Sequence, residues 1–313
     1  MRIVFMGTPE FSVPSLQALL KAGEEVVGVF TQPDRPKGRG GKVQMSPVKQ
    51  LALEYNIPVF QPQRIRMDGL ADLQSLAPDL CVTAAFGQIL SQAILDVPKN
   101  GTVNVHASLL PRHRGSSPVN WAILQDDKTT GITTMLTAAG IDNGDMLLKR
   151  EVPITDQDTA GSLLQTLSTV GAELLIETLQ RIKAGTCPRE KQNEADMTYD
   201  PKLEKEMGLL DFSQSTRELF CRVRAFNPWP SAFAETNKGM LKIWAAKPAK
   251  VSTISKSGTV LVADVKQGLI VATGDGALEL VEIQAPNAKR MPAKAFLLGH
   301  GITTGSPLKE AMQ

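Results

Sequence analysis

The sequence predicts an α/β chain: a Rossmann-like, mostly parallel sheet with helices on both faces, then a small OB-like β-barrel. Three observations predict it. Strand-like and helix-like runs alternate from residue 2 to residue 183. Short strand-like runs separated by turns recur after residue 238. Between them, residues 187–205 are mainly polar and aperiodic, the pattern of a linker. A chain of 313 residues is long enough for two domains. The expected division is 1–186, a linker 187–205, and a second domain 206–313.

The elements follow in order. Residues 2–6 open the chain as a strand. Residues 11–22 carry Val13, Leu16, Leu19 and Leu20 at helical spacing. A strand is expected at 25–31, a helix at 47–55, a short strand at 59–60 and a helix at 70–75. Leu80, Cys81, Val82, Thr83, Ala84 and Ala85 form a mostly apolar run, as a central buried strand would. A short helix at 91–95 leads to strands at 102–106 and 131–136. Residues 160–183 read as a long amphipathic helix. Beyond the linker, 215–225 reads as a helix. Strands are expected at 240–244, 258–262, 269–273 and 278–283. A hairpin turn at Gly274, Asp275 and Gly276 joins the last two.

Composition is that of a globular protein, 42% apolar and 21% charged. No run approaches the roughly 18 apolar residues of a transmembrane helix. The N-terminus enters a strand pattern directly, without the apolar region and cleavage site of a signal peptide. Cys81, Cys187 and Cys221 are too scattered for a disulfide framework or a zinc site. These features point to the cytoplasm. Net charge is +2, split as +4 over residues 206–313 and −2 over the rest. So mild an asymmetry is more often a solvated surface than a nucleic-acid site. No large apolar surface stripe is evident, so a monomer is expected.

The chemistry is sought at Asn104 and His106. Side chains alternate along a strand, so Thr102, Asn104 and His106 share one face and Val103 and Val105 the other. An amide and an imidazole on such a sheet are costly unless hydrogen-bonded or used. They also lie at the C-terminal end of an apparent parallel strand, where open α/β sheets bind ligands. A third polar element, Gly140 to Asp145 with Asp142 at its centre, follows the 131–136 strand. The plainer reading remains open at this level: a core Asn–His pair can simply satisfy its neighbours.

Other motifs are weaker. The turn at Gly7, Thr8 and Pro9 lacks the second and third glycines of a dinucleotide fingerprint, and no P-loop is present. His106, His113 and His300 have no metal-ligand spacing. Ser108 lacks a nucleophile elbow. Residues 32–42 carry four cations and three glycines in eleven positions. Such a stretch could order around phosphates, or be only a solvated loop.

The N-terminal half resembles the folate-dependent formyltransferases. Asn104, Val105 and His106 run into Ser108, Leu109, Leu110 and Pro111, and Asp142 follows in Gly140-Ile141-Asp142-Asn143-Gly144-Asp145. Met6 to Phe11, Phe30 to Pro36, Gly38-Arg39-Gly40, Arg224 to Pro230 and Ala272 to Gly276 are similar to the members that act on charged initiator tRNA. One departure is His113, where the family commonly has an aromatic residue. The resemblance implies 10-formyltetrahydrofolate as formyl donor, initiator methionyl-tRNA as acceptor, and no metal. It implies Asn104, His106 and Asp142 as catalytic residues, Asn104 and His106 donating to the oxyanion and Asp142 orienting His106 and helping to remove a proton from the attacking amine, directly or through water. It implies a pterin site along Phe86, Gly87, Gln88, Ile89 and Leu90, walled by Ser108, Leu109, Leu110 and Pro111. It implies tRNA contact by Lys37, Arg39 and Lys42 and by the basic C-terminal domain.

Two rivals share parts of this pattern. A formyltransferase acting on a small amine, such as a phosphoribosyl glycinamide, would keep Asn104, His106 and Asp142 without needing a basic second domain. A non-catalytic RNA-binding protein would have no use for all three polar residues together.

Overall fold

Seven strands make the principal sheet: β1 Arg2–Gly7, β2 Glu25–Phe30, β3 Val59–Phe60, β4 Leu80–Ala84, β5 Thr102–His106, β6 Thr129–Leu136 and β7 Met146–Pro153. This is a computed structural model that describes residues 1–36, 43–251 and 254–311. The strand order is β7-β6-β5-β4-β1-β2-β3. The five strands from β5 to β3 pair in parallel, while β6 runs antiparallel to β5 and β7 antiparallel to β6. The sheet is therefore mostly parallel, as expected.

Burial explains the apolar runs. Val4 and Met6 pack with Phe30, Cys81, Phe86 and Leu90 in one cluster, and Ile3 and Phe5 are equally buried. A strand covered on both faces needs apolar residues at every position. Burial pushes the Cys81 thiol up to about 12, so it is packing material and not a nucleophile. The helix Pro47–Glu54 starts where proline at its first position follows Ser46, whose hydroxyl accepts from Lys49 N–H at 3.1 Å.

The residues divide into two units, each with its own core. The first comprises Met1–Pro118, Thr129–Pro153 and Leu164–Asp200. The second comprises Val119–Lys128, Ile154–Leu163 and Pro201–Gln313. Its antiparallel strands are β8 Ala232–Thr236, β9 Gly239–Pro248, β10 Val260–Asp264, β11 Gly268–Ala272 and β12 Ala277–Gln284. They pair in the order β8-β9-β12-β11-β10.

The chain near its C-terminus bonds to both ends of this sheet. Asn237 N–H donates to the Lys309 carbonyl, and Val260 N–H to that of Ser306. The result is barrel-like, with Leu219, Leu241, Ile243, Val271, Leu280 and Phe296 inside. The helix Thr216–Ala225 begins at a capping box between Ser215 and Glu218. Among the described residues, no helix is long and apolar enough to cross a membrane.

Candidate functional site

Strand β5 carries Asn104 and His106 on one face, between β4 and β6. Asn104 pairs in register with Thr83 of β4. The buried Thr83 hydroxyl donates to Asn104 Oδ1 at 2.9 Å. With its oxygen occupied, the amide has its nitrogen left as the donor.

His106 is buried, and its Nε2 lies 3.0 Å from the His113 backbone carbonyl. A carbonyl only accepts, so Nε2 carries the proton and donates. Nδ1 is on the side of Asp142, whose Oδ1 is 3.7 Å away, beyond hydrogen-bond reach. Asp142, expected from sequence to orient His106, thus does not hydrogen-bond to the ring. The loop after β5 returns the His113 carbonyl onto the strand, where it accepts from Nε2, while Asp142 faces Nδ1 at ion-pair distance.

The Asp142 loop is anchored separately. Gly115 N–H donates to Asp142 Oδ2 at 2.9 Å. Gln192 Nε2 donates to the carbonyls of Asp142 and Gly144 at 2.7 and 2.8 Å. Arg114 Nε donates to Gln192 Oε1 at 2.9 Å. The Arg114 guanidinium also donates to both Glu194 carboxylate oxygens, which holds that carboxyl below its ordinary range. Residues 187–205, expected to join two domains, thus supply Gln192 and Glu194 to the site's support. Nothing in their polar, aperiodic sequence signals this, because their partners are loop groups and not an apolar face.

The Ser108 to Pro111 turn is tied to β6. The Thr133 hydroxyl donates to the Ser108 carbonyl at 2.7 Å and accepts from Leu110 N–H at 3.1 Å. Ser108 Oγ donates to the Arg112 carbonyl at 2.8 Å. Leu110 packs into a core cluster with Met135 and Met146, while Leu109 and Pro111 are half-buried.

In the expected pterin segment, Phe86 and Leu90 are likewise core side chains. Gln88 is engaged on both sides, Oε1 accepting from Ile65 N–H at 2.6 Å and Nε2 donating to the Pro62 carbonyl at 3.0 Å. Outward, the segment offers Gly87, with φ +78°, and the exposed Ile89 side chain. Gly87, Gln88 and Ile89 line a cavity of about 900 Å³ together with Thr8, Gln32, Arg35, Ser46, Arg64 and Arg66. Among the described residues, its walls do not include Asn104, His106 or Asp142.

Lys37, Arg39 and Lys42 lie outside the described residues. The residues flanking them, Arg35–Pro36 and Val43–Gln44, pair antiparallel. Among the described residues, no group of three or more His, Cys, Asp or Glu side chains is placed to hold a metal ion.

Residues 1–179 match the family model described as formyl transferase, and 202–301 the model of its C-terminal domain. The chain is 47% identical over 306 residues to a methionyl-tRNA formyltransferase of Clostridioides difficile (strain 630), covering 97% of this chain and 99% of that one. It is 48% identical over 309 residues to the Bacillus subtilis (strain 168) enzyme of the same name, covering 98% and 97%.

A solved N-formyltransferase of Helicobacter canadensis, in complex with folinic acid and dTDP-3-aminofucose, shares the fold. Its TM-score is 0.68 at 20% identity, covering 93% of this chain and 100% of that one. HypX of Aquifex aeolicus, in complex with tetrahydrofolic acid, has a TM-score of 0.65 at 20% identity, covering 95% and 47%. With family models over both halves and near-half identity along its length, the chain belongs to the formyltransferase family.

Proposed function

We propose that this chain transfers the formyl group of 10-formyltetrahydrofolate to the α-amine of initiator methionyl-tRNA. The observation that carries this reading is the 47–48% identity, over nearly the whole chain, to enzymes named for that reaction. Asn104, His106 and Asp142 are the proposed catalytic residues.

The amine nitrogen attacks the formyl carbon, and the carbonyl oxygen becomes an oxyanion. Asn104 Nδ2 donates to it, freed for that role by the Thr83 bond to Oδ1. His106, with Nε2–H committed to the His113 carbonyl, works through Nδ1, which donates to the oxyanion when protonated. Such donors are worth about 3 kcal/mol each in the transition state. Asp142 accepts the proton that the amine loses, directly or through water. Collapse then breaks the bond from carbon to N10 of the folate, and that nitrogen takes the proton Asp142 accepted, directly or through water, which restores the carboxylate and releases tetrahydrofolate.

Gly87, Gln88, Ile89 and the Ser108 to Pro111 turn are the proposed folate walls, mainly through backbone groups. Lys37, Arg39 and Lys42 are proposed on sequence grounds to contact the tRNA, with the basic C-terminal part binding its backbone. Charged initiator tRNA belongs to translation, so we assign the protein to the cytoplasm, acting as a monomer. No metal takes part in the proposed reaction.

The test supplies labelled 10-formyltetrahydrofolate with three acceptors in one mixture: charged initiator tRNA, a phosphoribosyl glycinamide and a nucleotide amino sugar. Label should reach methionyl-tRNA and neither small amine. Preferential labelling of a small amine would overturn the reading.

A further inference from the structure

A second histidine and a distant aspartate form a buried pair at the turn whose carbonyl His106 contacts. His113 Nδ1 lies 2.7 Å from Asp200 Oδ2, and their side chains are only 4% and 2% exposed. Two such groups are costly to bury unless they pair closely. Their position gives the pair more to do than satisfy itself.

His113 has φ +60°, in the left-handed region that non-glycine residues rarely adopt. The same residue supplies the carbonyl that accepts from His106 Nε2, and its own N–H donates to Thr198 Oγ1 at 2.8 Å. Tyr199–Asp200 pairs in parallel with Arg114–Gly115. The ring, the amide and the next two residues of this turn are thus all held by residues 198–200, while the carbonyl is aimed at His106.

We propose that His113 and Asp200 are positioning residues for the formyl transfer. The His113–Asp200 bond locks the left-handed turn so that the His113 carbonyl captures His106 Nε2–H. This fixes one tautomer of His106 and leaves Nδ1 for the reacting atoms. The role in turnover rests on the function proposed above; the tautomer of His106 does not.

Two arms keep these claims separate. The first is long-range ¹H–¹⁵N spectroscopy of the imidazole nitrogens in the wild-type protein. Neutral His106 should show Nε2–H and a bare Nδ1. An Nδ1–H tautomer in the wild type would overturn the proposal whatever the enzyme acts on.

The second arm compares Asp200→Leu, which keeps the branched outline in a larger side chain but offers no acceptor, with Asp200→Asn, which keeps the volume and whose amide oxygen still accepts from His113 Nδ1. Assays run well below each variant's melting temperature. Asp200→Leu should mix the His106 tautomers and lower kcat roughly 10²-fold, as a misplaced catalytic group does. Its KM for charged tRNA and its folate Kd should stay within about twofold. Asp200→Asn should restore the Nε2–H signature and most of kcat.

An Asp200→Leu protein with a lower melting temperature but unchanged tautomer and kcat would mean that the pair only stabilises the fold, and the positioning role would be discarded. A wild-type protein that shows the expected tautomer but does not formylate methionyl-tRNA would overturn the function and leave the positioning geometry standing.

Discussion

At Asn104 the working atom is the amide nitrogen, and Thr83 makes it so by occupying the oxygen. Thr83→Val keeps the β-branched shape and removes the hydroxyl. The amide can then turn, and kcat should fall roughly tenfold, about the 1.4 kcal/mol of one hydrogen bond. Folate affinity, measured by fluorescence titration, should hold. Asp142→Asn is a sharper change. The amide oxygen can still accept from Gly115 N–H, so the loop stays in place, but the proton acceptor is gone. Turnover should fall by about two orders of magnitude or more while folate binding persists. Equal loss of both would make Asp142 a pocket residue and not a base. Asn104 and His106 were legible because polar side chains interrupt an apolar strand at a period of two. Thr83 was not, since a threonine in such a run reads as another β-branched packing residue. His113 and Asp200 are 87 positions apart, and no local pattern connects them.

Among the elements, the parallel strands were plain because burial on both faces demands continuous apolar runs. Strand β7, Met146–Pro153, was hidden: it is a sheet edge, and Lys149, Arg150 and Glu151 interrupt its pattern. Strand β8, Ala232–Thr236, is short and includes two alanines, which carry little strand signal. The turn from β6 to β7 carries Asp142 and depends on Gly144. A Cβ there would lie 1.7 Å from the Leu136 carbonyl oxygen, a backbone atom that cannot swing aside. Gly144→Ala should cost about 2 kcal/mol or more, read by urea denaturation. In the second unit, Arg217 hydrogen-bonds to Asp126 and holds its carboxyl well below the usual range. A depressed carboxyl stabilises above its unfolded pKa, and that stability is lost as pH falls through the folded value. Asp126→Asn should therefore lower the melting temperature at pH 7. The gap from wild type should begin to narrow as pH falls below about 4, the ordinary aspartate range, and close only at the much lower folded value.

Over the whole molecule, the change from long alternating elements to short, regularly spaced strands revealed two kinds of architecture. The interleaving of the units did not show: Val119–Lys128 and Ile154–Leu163 belong to the second unit, yet lie within the alternating half of the sequence. Local periodicity reports which face of an element is apolar, not which core receives it. Nor does the charge division, −2 over residues 1–205 and +4 over 206–313, follow the two units, because Val119–Lys128 and Ile154–Leu163 carry Asp126, Asp127, Asp156 and Asp158 into the second. If the Asn104–His106 face performs the transfer to the charged tRNA, removing either side chain must slow the chemical step. The direct measurement is single-turnover formylation of initiator methionyl-tRNA by Asn104→Ala and His106→Ala beside the wild type, with circular dichroism to verify folding. Each variant should lose roughly two to three orders of magnitude in the chemical rate, the cost of an oxyanion donor, with its fold intact. Near-wild-type rates in both variants would mean that the transfer takes place elsewhere.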